Sequence, residues 1–143
     1  MTDWDDRFLN LASFVSKWSK DPSTKVGAVL VGQDKREVAL GYNGFPPGFD
    51  DSKLVNSSRR KRLRYTLHAE RNVLDNAKFS CVNSTLYVTH PPCCDCAKSL
   101  VSKGISRVVW RKPNYGFYRR WRASIVHAIT MMTEADIEWM EKD

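Results

Sequence analysis

Between residues 4 and 18 the apolar side chains Trp4, Phe8, Leu11, Phe14, Val15 and Trp18 recur at steps of three and four. That spacing gathers them on one face of an amphipathic helix. Asp21-Pro22-Ser23 then ends the pattern, since proline cannot extend the hydrogen-bond ladder. Two short apolar runs follow, 26–31 and 37–42, with the turn residues Gly32-Gln33-Asp34-Lys35 between them. The pair reads as a β-hairpin. Residues 43–64 lose all periodicity: Gly44, Pro46, Pro47, Gly48 and Asp50-Asp51 precede a basic run. A functional loop is expected there, with a helical turn in its second half. Helical spacing returns at 68–77, where Ala69, Val73, Leu74 and Ala77 share a face. The remainder alternates: a strand at 85–89, a helix at 94–103 stopped by Gly104, a strand at 108–110, a long helix at 118–133 and a last short strand at 137–140. This order predicts an α/β protein, with a sheet of about five strands and helices on both faces. No internal repeat or low-complexity segment interrupts it, so residues 1–143 are expected to form one domain.

Composition narrows the class. With 42% hydrophobic and 27% charged residues, and only 7 Gly and 6 Pro, the chain has the makeup of a globular protein rather than a disordered or fibrous one. No apolar stretch is long enough to cross a bilayer. The acidic start, Met1 to Asp6, lacks the positive and apolar regions of a signal peptide. A cytoplasmic protein without membrane contacts is expected. The net charge of +7 favours anionic partners, whether nucleic acid, free nucleotides or phosphorylated metabolites. Of the four cysteines, Cys93, Cys94 and Cys96 fall within four residues, a spacing poor for a disulfide framework and good for a metal.

Two motifs carry the chemistry: His68-Ala69-Glu70 at the start of one predicted helix, and Pro92-Cys93-Cys94-Asp95-Cys96 at the start of the next. Imidazole and thiolate ligands suit zinc. Cys93 and Cys96, three apart on a first turn, lie on one side and can share an ion. A structural site would need four protein ligands. The three found here, His68, Cys93 and Cys96, leave a position for water, whose pKa zinc lowers to about 7. Glu70 is then placed to take a proton from that water and return it to a leaving group. The two-part pattern H-x-E with P-C-x-x-C is the signature of zinc nucleobase deaminases. A redox Cys pair would not explain His68 and Glu70. A zinc ribbon would need a second ligand pair, and Cys81, His90 and His127 do not have that spacing. Cys94 lies about 100° around the helix from its neighbours and is read as a filler. Cys81 is read as core.

Beyond these motifs, the chain resembles the deoxycytidylate (dCMP) deaminase family of the cytidine deaminase-like superfamily. The resemblance runs through residues 19–28 (Ser19 to Ala28), residues 41–48 (Gly41 to Gly48), both zinc motifs and Cys96-Ala97-Lys98 through Gly104-Ile105. It implies a three-layer α/β/α fold with a mixed sheet and one zinc per chain. It also implies hydrolysis of dCMP to dUMP and ammonia, which supplies dUMP for dTMP synthesis. Glu70 would protonate the ring nitrogen and then the departing amine. The Ala69 N–H would fix the base carbonyl, and backbone carbonyls after Thr89 would accept from the amine. Asn43 and Tyr115 would contact the nucleotide, with Ser23 and Lys25 near the phosphate. Residues 23–25 also read as an ordinary polar turn, and Asn43 as a turn residue. The family further implies a homohexamer, activated by dCTP and inhibited by dTTP, with Gly41, Tyr42, Asn43 and Gly44 near the effector. Those glycines can equally make a turn. Some members carry an insertion with Cys and His ligands for a second zinc; residues 49–67 here contain neither.

The basic runs Arg59-Arg60-Lys61-Arg62, with Arg64, and Arg119-Arg120-Trp121-Arg122 supply much of the positive charge. Such runs bind single strands, form solvated or subunit surfaces, or attract small anionic nucleotides. The last two roles are expected here, and nucleic acid is not expected as a partner. Two alternatives remain: a tRNA adenosine or polynucleotide cytidine deaminase, and a non-catalytic zinc protein that binds nucleic acid.

Overall fold

A computed structural model describes residues 3–143, all but the side chain of Leu54; Met1 and Thr2 of the expected domain lie outside it. The first helix, α1 (Trp4–Ser16), is capped by Asp3, whose carboxylate accepts from the Asp6 N–H at 2.8 Å. Asp5 and Asp6 in its first turn complement the helix dipole. Its buried residues are Leu9, Ala12 and Val15, while Trp4, Phe14 and Trp18 are exposed. The apolar stripe is thus rotated from the one its aromatics suggest. The reason is close packing: a Cβ on Gly27 would sit only 2.0 Å from the Ala12 carbonyl. Bulky rings cannot occupy a contact this tight, and they move to the rim.

The predicted hairpin forms as β1 (Gly27–Val31) and β2 (Val38–Tyr42), paired antiparallel from Gly27↔Tyr42 to Val31↔Val38. Where a loop with one helical turn was expected, two short helices appear, α2 (Asp51–Val55) and α3 (Arg59–Tyr65). Ser58 caps α3 by accepting from the Lys61 N–H, and no residue of α3 is buried. Then come α4 (Ala69–Asn76), β3 (Thr85–Val88), α5 (Cys94–Ser102), β4 (Arg107–Arg111), α6 (Tyr115–Glu134) and β5 (Glu138–Lys142). Helix α6 starts earlier than its apolar period because Asn114 caps it, accepting from the Phe117 N–H at 2.8 Å.

The sheet order is β2-β1-β3-β4-β5. β1 runs antiparallel to β2 and β3, and β3, β4 and β5 run parallel, so the sheet is mixed as expected. Alternate strand residues serve two cores. Val29, Val31, Tyr87 and Val109 pack under α1. Ala28, Leu30, Leu86, Val88, Val108 and Trp110 face α4, α5 and α6. Helices therefore cover both faces. β1 is buried along its whole length. An ionic cluster ties α1 to the far edge: Arg107 grips Asp5 through two 2.7 Å contacts, and Lys142 reaches Asp3 at 3.0 Å and Asp6 at 3.1 Å. Among the described residues, no helix is long and apolar enough to cross a membrane.

Candidate active site

The site forms where the N-termini of α4 and α5 converge. His68 is the N-cap residue of α4 but makes no side-chain capping bond, which leaves its ring free to turn towards α5. Cys93 caps α5, its sulfur accepting from the Cys96 N–H at 3.4 Å. His68 Nδ1 lies 3.3 Å from Cys96 Sγ and 3.4 Å from Cys93 Sγ, and the three ligand atoms all lie within 4.8 Å of one another. Tetrahedral zinc, about 2.3 Å from sulfur and about 2.0 Å from nitrogen, separates neighbouring N and S ligands by about 3.5 Å. The donor set and its spacing fit one ion. Cys94 points its backbone elsewhere, donating its N–H to Ser124 Oγ at 2.8 Å.

Electrostatics agree with a ligand cluster. The Cys96 hydrogen bond, helped by His68, draws the Cys93 thiol down to about 4. The same pairing with Cys93, together with burial, holds Cys96 far above an ordinary thiol. His68 is raised to about 9 by its hydrogen bond to Cys93, against the opposing effect of burial. Glu70, in the first turn of α4 and 5% exposed, is pushed up by burial, while the charge of His68 pulls it back. Burial thus favours the protonated form of a carboxyl that sits beside the ligand cluster.

These groups lie in an open cleft that holds about 870 Å³ of empty space counted out through its mouth into solvent. His68, Ala69, Glu70, Cys93, His90 and Pro91 line it. Ala69 and Glu70 are buried and mark its floor. Ala69 opens α4, so its N–H has no intrahelical partner. Phe117, Trp121 and Ile125 of α6 form a wall. Arg59 and Arg62 of α3, Arg120 of α6 and Ser23 also line the cleft. Arg59 donates to Ser23 Oγ at 3.3 Å, and Ser23, Arg59 and Arg120 are exposed, so they rim the mouth.

Of the residues expected near a nucleotide, Ser23, Asn43 and Ala69 line this cleft, and Lys25 and Tyr115 do not. Tyr115 is 78% exposed in the first turn of α6, and the α6 side chains that do face the cleft begin two residues later. Asn43 is buried, its Oδ1 accepting from Val26 N–H and its Nδ2 donating to the Thr24 carbonyl, both at 2.8 Å. One amide proton remains for a ligand. Gly41 is buried beneath α4, where a Cβ would meet Val73 N at 2.5 Å; helix packing explains this glycine. Tyr42 and Gly44 instead line a second, smaller cavity with Trp18, Lys20, Phe45 and Asp51. Sequence reasoning did not place His90, Phe117, Trp121 or Ile125 in the site. Phe117, Trp121 and Ile125 recur every four residues, which signals one helix face without saying what that face meets.

Comparison with known proteins agrees with this geometry. Residues 2–112 match the family described as the cytidine and deoxycytidylate deaminase zinc-binding region. A protein of Aliivibrio fischeri, named an uncharacterized deaminase in the luxG 3' region, is 39% identical over 142 residues, 98% of this chain and 95% of its own length. A Drosophila melanogaster protein, named a probable deoxycytidylate deaminase, is 37% identical over 132 residues; the match spans 85% of this chain and 65% of that one. The crystal structure of the dCMP deaminase of cyanophage S-TIM5 in apo form superposes with a TM-score of 0.74 at 26% identity, covering 96% of this chain and 95% of that one. The chain belongs to the cytidine and deoxycytidylate deaminase family, defined by its zinc-binding region.

Proposed function

We propose that the chain is a zinc-dependent dCMP deaminase, converting dCMP and water to dUMP and ammonia and so supplying dUMP for dTMP synthesis. The observation that carries this is a buried Glu70 beside a three-ligand His68–Cys93–Cys96 group, at the floor of a cleft rimmed by arginines. The resemblance to deoxycytidylate deaminases supports the substrate. His68, Cys93 and Cys96 hold the metal. When bound, zinc supplies the Lewis acidity that makes water a nucleophile near neutral pH. Glu70 takes the proton from the attacking water, passes it to the pyrimidine ring nitrogen, and then returns a proton to the departing amine. The unpaired Ala69 N–H binds the base carbonyl, and the carbonyls after Thr89 receive the amine. Asn43 offers its free amide proton to the sugar or base. Arg59, Arg120 and Ser23 receive the phosphate, with Lys25 and Tyr115 outside the cleft adding charge and surface near it.

The test is turnover. Zinc-loaded protein given dCMP, deoxycytidine and dCTP separately should deaminate dCMP fastest, followed by loss of cytosine absorbance. No turnover of any of the three would refute the reading. Deamination of cytosine in single-stranded oligonucleotides instead would favour a polynucleotide deaminase.

Regulation and assembly extend the same reading. dCTP activation with dTTP inhibition is the expected pattern, with the effector near Tyr42 and Gly44, which border a small cavity where Lys20 pairs with Asp51 at 3.0 Å. The exposed aromatics Phe14, Trp18 and Tyr42, in contact edge to face, suit subunit packing in a hexamer. Unchanged kinetics with either triphosphate, and a monomer by light scattering, would remove these two parts. Residues 1–143 act as one unit in the cytoplasm, where the four free cysteines stay reduced.

A further inference from the structure

His90 lines the cleft but has no part in the proton transfers above. Its ring packs on Phe117 with centroids 4.7 Å apart, Phe117 lies 6.2 Å from Trp121, and Trp121 stands edge-on to His68 at 6.5 Å. The imidazole therefore belongs to an aromatic wall that runs to the metal-binding histidine. That is the end of the cleft where a base would react.

The tautomer of His90 follows from its neighbour. Its Nδ1 is 2.7 Å from Thr89 Oγ1, and the same oxygen accepts the Gly27 N–H at 3.2 Å. Among the described residues, the Thr89 hydroxyl proton has Nδ1 as its one acceptor. With the Thr89 hydroxyl donating to Nδ1, the proton of the neutral ring sits on Nε2. Burial favours this neutral form by lowering the pKa below the ordinary 6.5. Nε2 has no hydrogen-bond partner among the described residues, and no buried side-chain polar atom lacks one. Nε2 is therefore accessible, in a residue whose open side is the cleft.

We propose that His90 is a specificity residue for the pyrimidine, its Nε2–H donating to the second lone pair of the base carbonyl O2 beside the Ala69 N–H; this rests on the deaminase assignment. Of the polar atoms on the reacting base, O2 alone is an acceptor in both substrate and product, since the ring nitrogen gains a proton and the amine leaves. A donor to O2 binds substrate, intermediate and product alike, so its loss appears in KM rather than in kcat. The hydroxyl of Thr89 acts through His90 as a positioning group.

The experiment compares the zinc-loaded wild type with His90→Phe, which keeps the ring packing and removes the donor, and His90→Gln, which restores an N–H. Steady-state dCMP deamination and calorimetric binding of dUMP are measured for each. Losing one hydrogen bond should raise both KM and the dUMP Kd about tenfold in the Phe variant, with kcat within about twofold. The Gln variant should recover most of that loss. ¹⁵N NMR of the wild type should show a neutral His90 ring with the proton on Nε2. A Phe variant with wild-type KM would overturn the proposal, as would a Gln variant no better than Phe, or a proton found on Nδ1. A wild type that does not deaminate dCMP overturns the deaminase assignment itself. Normal wild-type turnover with an unaffected Phe variant overturns only the role of His90.

Discussion

Glu70 and the three ligands occupy adjacent positions but make separable contributions. The ligand group is complete without Glu70, because His68, Cys93 and Cys96 already converge within 4.8 Å. Glu70→Gln should therefore retain one zinc per chain by atomic absorption while kcat falls by about 10³ or more, the size of a lost general acid–base. Retained turnover would show that another group moves the proton. Cys93→Ser and Cys96→Ser should each lose stoichiometric zinc. Cys94→Ser should keep it, since the backbone of Cys94 is tied to Ser124 and its sulfur lies outside the cluster. Metal analysis of the three variants side by side decides this assignment. The shifts of Cys93 and His68 have one origin, a thiolate accepting from neighbours at two helix starts.

Elements hold that geometry through two tight contacts and one ionic cluster. Gly41 lets β2 lie against the middle of α4, with Val73 N only 2.5 Å from where a Cβ would be. Gly41→Ala should push α4 away from the sheet and take Glu70 with it. A loss of roughly 1–3 kcal/mol by denaturant unfolding, together with reduced kcat, is expected. At the opposite face, Asp5 receives both Arg107 and the Tyr87 hydroxyl. Asp5→Asn should cost about 2 kcal/mol, as for a charge-assisted pair left with one partner. The Arg107 hydrogen bond holds Asp5 below the ordinary carboxylate value of 3.8. A carboxylate lowered on folding stabilises the native state above its unfolded pKa, and that stability disappears as pH falls through the folded value. Acid unfolding should therefore begin below about pH 4, and Asp5→Asn should flatten that limb in a pH series of melting curves. Helix α3 differs from these elements. With no buried residue, it is held by its cap and its ends, and it contributes to the site through charge.

Over the whole molecule, a net charge of +7 and the arginines at the cleft mouth are expected to act together on an anionic substrate. Exposed charges are screened over a Debye length of about 10 Å at 0.1 M salt. Raising the salt should increase KM for dCMP while leaving kcat nearly unchanged, and Arg120→Ala should reduce that dependence. A salt-independent KM would assign the arginines to a structural or assembly role. The parallel half of the sheet, β3-β4-β5, brings α5 and α6 to the face that carries α4. The helices packed on that face, α4, α5 and α6, meet the cleft from one side of the sheet, and α3 adds Arg59 and Arg62 at its rim. The ionic cluster on the α1 side stays remote from the chemistry.

The elements and the ligands were legible in the sequence because both depend on short spacings. Apolar period placed α1, α4, α5, the hairpin and the later strands to within a few residues. The three-residue step from Cys93 to Cys96 on a first turn already implied a shared ion, with His68 and Glu70 on the preceding helix. What depended on distant backbone was not legible. The sequence offered Trp4, Phe14 and Trp18 as part of the buried stripe, and Gly27 against Ala12 turned them outward. Tyr115 was expected beside the nucleotide from the resemblance, and it lies outside the cleft. The Asn114 cap sets where α6 begins, and that phase puts Phe117, Trp121 and Ile125 on the inner face. The basic run at 59–62 was visible as charge, yet only the folding of α3 over the cleft brought Arg59 to Ser23, 36 residues away. Local sequence thus determined which groups can bind metal and carry protons, because each motif, His68-Ala69-Glu70 and Cys93 to Cys96, is complete within four residues, whereas bringing His68 to Cys93 across 25 residues was the work of the fold. Tertiary packing decided what surrounds them, because side chains far apart in the chain meet only when sheet order and helix phase are fixed.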